Sequence, residues 1–212
     1  VRRLPRGRHG LSPEFVAQDQ RDRLLVAISE TLGERGYEGT TVSAIGSRAH
    51  VSKSDFYRHF GSKDACFLAA YDDAVERLRE EVVAACSERD EWVDGVCAGI
   101  AVVLAWLARE PGCANLLLVE GLRAGPRFYD RFLAGVQSFV PYLRDRAPEG
   151  GAGGQTGAAT AEAVVGGVAS LLGRHVLAGE TEQLERFFPD FAEFALTPYL
   201  GTAEARRIIS GR

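Results

Sequence analysis

Between Thr40 and Lys63 the chain gathers side chains that donate hydrogen bonds: Thr41, Ser43, Lys53, Ser54, Tyr57, Arg58, His59 and Lys63. A stretch so rich in hydroxyl, ammonium and imidazole donors suits contact with a polyanion rather than a reaction. Lys53 and Lys63 are the chain's two lysines, ten residues apart. Residues 1–66 hold eleven basic and eight acidic side chains, whereas the remainder holds fourteen and twenty-one. A basic head on an acidic body directs one end of a molecule to a polyanion. Catalysis lacks its usual parts, and no enzymatic activity is expected. There is no CxxC pair and no HxxxH, and the glycine-rich 150–157 stretch matches neither GxGxxG nor a Walker pattern. No metal or cofactor is expected.

The elements that must position these donors follow from periodicity. Leu25, Ile28 and Leu32, at i, i+3 and i+7, predict a helix from about Pro13 that ends at Gly36. Val42, Ile45 and Ala49 predict a short helix within 40–49, His50-Val51 breaks it, and Ser52 opens another to Phe60. Ser52 and Asp55 are spaced as an N-cap and the acid three positions on. A long helix is predicted from Lys63 to about Ser87. Two short helices on a tight turn, with Val42, Ile45, Ala49, Val51, Phe56 and Phe60 inside, make a helix-turn-helix. Gly46 lets the second helix lie close. The outer face then presents Lys53, Ser54, Asp55, Tyr57, Arg58 and His59, and such a helix enters a major groove about 12 Å wide. Blander roles compete at single positions: Asp55 as a capping acid, His59 as a local packing residue, Tyr57 as a core tyrosine with a wet tip.

Further helices are predicted near 91–109, 111–120, 126–145, 160–178 and 181–199, with a tail helix near 203–209. No strand alternation is present, so the class is all-α: a three-helix amino-terminal domain with the helix-turn-helix, then a larger helical domain. The division expected is 1–12 as a flexible basic arm, 13–62 as the helix-turn-helix domain, and 63–212 as the larger helical domain. Within the last, 148–157 has five glycines and reads as a mobile linker. Arg2, Arg3, Arg6 and Arg8 make the arm either a solvated tail or a minor-groove arm. The apolar run Val96 to Ala108 is thirteen residues, short of the roughly 18 that span a bilayer, so a buried helix is expected. No signal peptide is visible at the amino end, and the four cysteines are too spread for a disulfide framework. A cytoplasmic protein with no membrane partner is expected.

Residues Tyr37 to Ile45 and Val51 to Lys63 resemble the tetracycline-repressor (TetR) family of transcriptional regulators. The family pattern is a Thr-Thr-Val start, an isoleucine-alanine step, a Gly-Val-Ser turn and Leu/Phe-Tyr-x-His-Phe-x-x-Lys. Here it reads Thr40-Thr41-Val42, Ile45-Gly46, His50-Val51-Ser52 and Phe56-Tyr57-Arg58-His59-Phe60-Gly61-Ser62-Lys63. The stretches 161–172 and 188–200 are more loosely similar to the family's last two long helices, which dimerise. The resemblance implies that Thr41 and Ser43 reach phosphates, Lys53 and Ser54 touch base edges, Tyr57 and His59 bond phosphate oxygens, and Lys63 adds a phosphate clamp. Arg48 and Arg58 are phosphate neighbours at most. His50 stands at the usual turn glycine, and Gly46 at the usual alanine, which should weaken the short helix by roughly 0.5–1 kcal/mol.

A regulator needs a second equilibrium. Apolar residues 96–108 with Trp106, then Leu116 to Val119, Phe128, Phe132 and Phe139, place aromatic and aliphatic side chains on neighbouring helices that can surround a small-molecule cavity. Trp106, Asn115, Phe128, Phe132 and His175 are the candidate ligand residues, with Glu120 and Gln137 as further polar groups; taken singly, each reads more readily as core or surface. The expected partners are a palindromic DNA operator, a second copy joined through 160–178 and 181–199, and an unidentified small-molecule effector. The recognition helices of such a dimer would stand about 34–36 Å apart or at another groove-matched spacing. A helical scaffold that binds a partner without DNA is the rival, explaining the helices but not Lys53, Tyr57, His59 and Lys63 at motif spacing.

Overall fold

The structure, a computed structural model, describes residues 12–148 and 157–211, with nothing described for the Arg127 side chain. The basic arm and most of the glycine-rich linker lie outside the described residues. All regular elements among those described are helical.

Helix α1 (Pro13–Gly39) opens on Ser12, whose hydroxyl accepts from the Phe15 N–H at 3.1 Å. The expected stop at Gly36 is a bend instead: Gly36 takes φ 65° and the chain turns once more to Gly39. Thr40 closes it by donating its N–H to Tyr37 O and its hydroxyl to Gly36 O. Helix α2 (Val42–Ala49) is capped by Thr41, and α3 (Lys53–His59) by Ser52, whose oxygen accepts from Asp55 N–H at 3.1 Å and donates to the Asp55 carboxylate at 2.7 Å. The turn between them places His50 in the left-handed region (φ 54°, ψ 42°). Gly46 has a sharper reason than helix propensity: a Cβ there would lie 2.8 Å from the Val51 carbonyl oxygen. The close approach is to the turn backbone rather than to α3. Ile45, Ala49, Val51, Phe56 and Phe60 are buried as expected, while Val42 is half-buried.

Helix α4 (Lys63–Ser87) runs from this head into the larger part of the molecule. Helix α5 (Trp92–Arg109) has 18 residues, longer than the uninterrupted apolar run, and by length and composition alone would cross a membrane. Its face of Val96, Cys97, Leu104, Trp106 and Leu107 is buried against other helices. The segment expected as one helix over 111–120 is α6 (Pro111–Asn115), a π-helical turn (Leu116–Glu120) and α7 (Gly121–Arg123). The expected 126–145 helix divides into α8 (Pro126–Gln137) and α9 (Val140–Arg144), because Pro141 has no N–H and its ring clashes with the carbonyl four residues back. Helix α10 (Ala158–Leu177) is continuous; a 3₁₀ turn (Thr181–Phe187) precedes α11 (Phe188–Leu200), and α12 (Thr202–Ser210) closes the described chain.

One buried cluster runs without a break from Leu24, Ile28, Ile45 and Phe56 in the head through Phe67, Ala70 and Tyr71 of α4 to Leu104, Leu116 and Phe128. A second, around Trp92, Val96, Leu143, Val164, Leu196 and Tyr199, fills the far end. Trp92 anchors it by donating its indole N–H to Leu143 O at 2.9 Å. Among the described residues none of the four cysteines is in a disulfide.

Candidate nucleic-acid interface and ligand cavity

Helix α3 turns Phe56 inward and leaves Lys53, Ser54, Tyr57 and Arg58 exposed. Tyr57 is 48% exposed, its ring edge-on to Phe56 at 5.5 Å, so it is not a core tyrosine. Asp55 caps the helix and pairs with Arg58 at 2.6 Å. At the start of α2, Thr41 and Ser43 are exposed and share a shallow polar pocket with Arg35, Ser47 and Arg48. The Thr41 hydroxyl accepts from Ala44 N–H at 3.2 Å, so its role there includes the cap. Arg48 is held by Glu30 and Glu34 of α1 at 3.3 and 2.5 Å.

Two of the expected phosphate donors face inward rather than outward. His59 points its Nε2 at the Gln20 side chain of α1, 3.0 Å away. Burial first, then the Arg58 charge, holds its pKa below the usual 6.5, with Asp55 opposing. Lys63 donates to the Tyr37 carbonyl at 2.8 Å and lies 3.8 Å above the Tyr37 ring centroid. His59 thus ties α1 to the end of α3, and Lys63 ties it to the start of α4. Arg21, over the Phe60 ring at 4.7 Å, and Gln20 belong to this seam. Both lie one turn before Leu24 and Leu25 on the inward face of α1, but as polar residues they added nothing to its apolar pattern.

In the larger part, a cavity of about 160 Å³ opens among α4, α5, the π turn, α8, α9, α10 and α11. Leu78, Val82, Ile100, Val103, Phe132 and Val168 are typical of a wall built almost wholly from carbon. On α4 the lining runs from Tyr71 to Cys86, about 22 Å of helix at 1.5 Å per residue. The polar exceptions are Tyr71, Tyr142 and Cys86. The Tyr142 hydroxyl accepts from Arg79 at 3.2 Å, and burial pushes the Tyr71 and Cys86 pKa values up.

Of the five expected ligand residues, Phe132 lines this cavity and the other four do not. Trp106 is buried roughly a quarter-turn off the lining stripe of α5, beneath the Arg77 guanidinium at 5.4 Å. Phe128 packs on Phe67 at 4.6 Å and Tyr37 at 5.4 Å, under the end of α1. Asn115 is half-buried on α6, with an Oδ1 that has no hydrogen-bond partner. His175 stacks on Phe187 at 3.9 Å and bonds Glu180 at 2.6 Å. Gln137 is exposed. Glu120 is buried away from the cavity and accepts from the Tyr37 N–H at 2.7 Å.

Residues 24–70, the span from the core of α1 into the second turn of α4, match the family model of bacterial regulatory proteins, tetR family. The likeness to the TetR family rests on this segment. The HTH-type transcriptional activator FasR of Mycolicibacterium smegmatis is 35% identical over 74 residues, which are 35% of this chain and 34% of FasR. A regulator from Lactococcus lactis is 26% identical over 93 residues, or 46% of that protein. These matches thus span less than half of either curated relative. The likeness in fold extends further than the sequence match. FadR of Bacillus subtilis, solved with stearoyl-CoA, superposes with a TM-score of 0.72 at 16% identity, over 84% of this chain and 98% of FadR. FadR of Bacillus halodurans gives 0.73 at 16% identity, over 82% and 97%.

Proposed function

We propose that the protein is a DNA-binding transcriptional repressor that works as a twofold dimer on a palindromic operator and leaves it when an elongated apolar molecule fills the cavity. The observation that carries this is the continuity of α4. Its first turn follows the exposed donor face of α3, and its later turns, Tyr71 to Cys86, form one wall of the cavity. Residues 13–62 act as the reading head and 63–212 as the effector and dimer domain. Lys53 and Ser54 read base edges, while Tyr57, Thr41 and Ser43 meet phosphates. His59 and Lys63 act mainly as clamps on α1 and reach phosphate only by exchanging Gln20 and the Tyr37 carbonyl for it.

The effector class follows from the wall. An extended chain of roughly sixteen to eighteen carbons spans the roughly 22 Å given by the helical rise. The cavity's volume is close to that of the engineered dry cavity, about 150 Å³, that takes benzene. A long acyl chain must therefore part the helices to enter, which is how binding would do work on α4. The likeness to FadR, solved with stearoyl-CoA, supports a fatty-acyl effector. For the dimer, Leu177 at 56% and Phe194 at 40% exposure leave apolar surface on α10 and α11, Phe194 lying over Gly167. Such a protein would act in the cytoplasm.

Anisotropy titration of a duplex selected from random sequence tests the proposal. Binding should weaken as salt rises, and stearoyl-CoA should release the duplex. A coupling of about 1–3 kcal/mol corresponds to a 5–150-fold loss of affinity. Salt-insensitive binding, or no binding by a folded protein, would overturn it.

A further inference from the structure

Glu120 is 5% exposed, a carboxylate shut inside the protein at the end of the π-helical turn. Burying such a group is costly unless it is hydrogen-bonded, and it accepts from the main-chain N–H of Tyr37, eighty-three residues away, at 2.7 Å. That N–H needs an outside acceptor because Gly36, at φ 65° and ψ 175°, breaks the helical run of α1 immediately before it. Tyr37 in turn holds the start of α4 in three ways. Its carbonyl accepts from Lys63, its ring lies beneath the Lys63 ammonium, and its hydroxyl donates to the Asp64 carboxylate. On the other side, Leu117 and Leu118 of the same π turn line the cavity. Glu120 therefore stands between the cavity wall and the residue that fixes the junction of reading helix and α4.

We infer that Glu120 is the positioning residue that transmits cavity filling to the reading head, acting through Tyr37. The inference rests on the proposed effector-controlled function. In the π turn the Gly121 N–H reaches back five residues to Leu116 O, and such turns have an α-helical register close at hand, which is one reason they recur at functional sites. A chain entering the cavity presses on Leu117 and Leu118. Re-pairing of the turn then rotates Glu120 off the Tyr37 N–H, and Lys63 and Asp64 lose a fixed partner. Any ligand that leaves Leu117 and Leu118 in place would bind without releasing DNA.

The test pairs duplex binding with hydrogen exchange, using stearoyl-CoA as the probe. The wild-type chain is expected to lose at least tenfold in duplex affinity with the probe. Glu120→Ala should change less than twofold while binding the probe within threefold of wild type. Glu120→Gln, whose amide oxygen still accepts from the Tyr37 N–H, should keep at least a fivefold response. Exchange at the Tyr37 amide should accelerate at least tenfold when the probe binds, or when Val103→Phe fills the cavity without it. This arm and Glu120→Gln carry the test if Glu120→Ala fails to fold. A full tenfold response in Glu120→Ala, or Tyr37 exchange that ignores Val103→Phe, overturns the role of Glu120. A wild-type duplex affinity that ignores the probe overturns the effector reading instead, and Tyr37 exchange in Val103→Phe still decides on Glu120.

Discussion

Replacing Gly46 by alanine sets two opposing effects against each other inside the helix-turn-helix. Alanine favours a helix interior over glycine by about 0.5–1 kcal/mol, so by propensity alone Gly46→Ala should stabilise α2. The added Cβ would stand 2.8 Å from the Val51 carbonyl oxygen, closer than carbon and oxygen tolerate. The neighbour cannot swing aside, because it is backbone and Val51 N–H is bonded back to Gly46 O at 2.9 Å. Forcing an extra methyl into such a site costs about 1–3 kcal/mol. Net destabilisation of about 1–2 kcal/mol is expected, or a melting temperature lower by about 2–8 °C for a chain of this size. The same shift carries Val51 and Ser52 outward and tilts α3, so duplex affinity should fall beyond what stability explains. Scanning calorimetry and anisotropy at one protein concentration decide it. A Gly46→Ala chain that melts higher than wild type would refute the steric argument and leave helix propensity in charge.

The turn offers the reverse experiment at His50: the left-handed backbone costs a non-glycine residue about 1–2 kcal/mol, so His50→Gly should raise the melting temperature by a few degrees despite glycine's entropy. Lys53→Met should cost about 1–3 kcal/mol of operator affinity and relax the preference at a single base pair, measured against a panel of substituted duplexes. His59 has its pKa lowered in the folded protein by burial and by Arg58. The unfolded chain therefore binds the proton more readily, and the stability that neutral His59 contributes is lost as pH falls below about 6.5. Wild type should lose more melting temperature between pH 7 and 5 than His59→Gln, and equal losses would contradict the assignment. The double variant Leu177→Asp with Phe194→Asp should elute as a single subunit in light-scattering chromatography, while its helical circular dichroism stays unchanged.

The helix-turn-helix was legible in the sequence because its constraints are local. The Ser52 cap, apolar spacing through Ile45 and Phe56, and a turn too short to vary leave one arrangement, to which the structure adds caps at Ser12, Thr41 and Ser62. The phase of the long helices was less legible. Trp106 and Phe128 are large apolar residues beside the cavity's own lining, and nothing in their type distinguishes a wall from the core behind it. His59 and Lys63 carry the family's spacing, yet their partners Gln20 and Tyr37 come from α1, more than twenty residues earlier. Glu120 is the extreme case: a lone acid in an apolar run reads as a pocket residue, and only the fold brings the N–H of Tyr37 to it. The division of 111–120 into an α-helix and a π turn was equally hidden, since both carry the same apolar pattern.

The shared packing of Leu24, Ile28 and Phe56 with Phe67, Tyr71, Leu116 and Phe128 limits how this molecule can be re-engineered. A hybrid regulator cut at the glycine–serine punctuation before Lys63 would expose half an interior on each fragment. Grafts that keep both the first two turns of α4 and the π turn should yield soluble, switchable hybrids, whereas shorter grafts should aggregate.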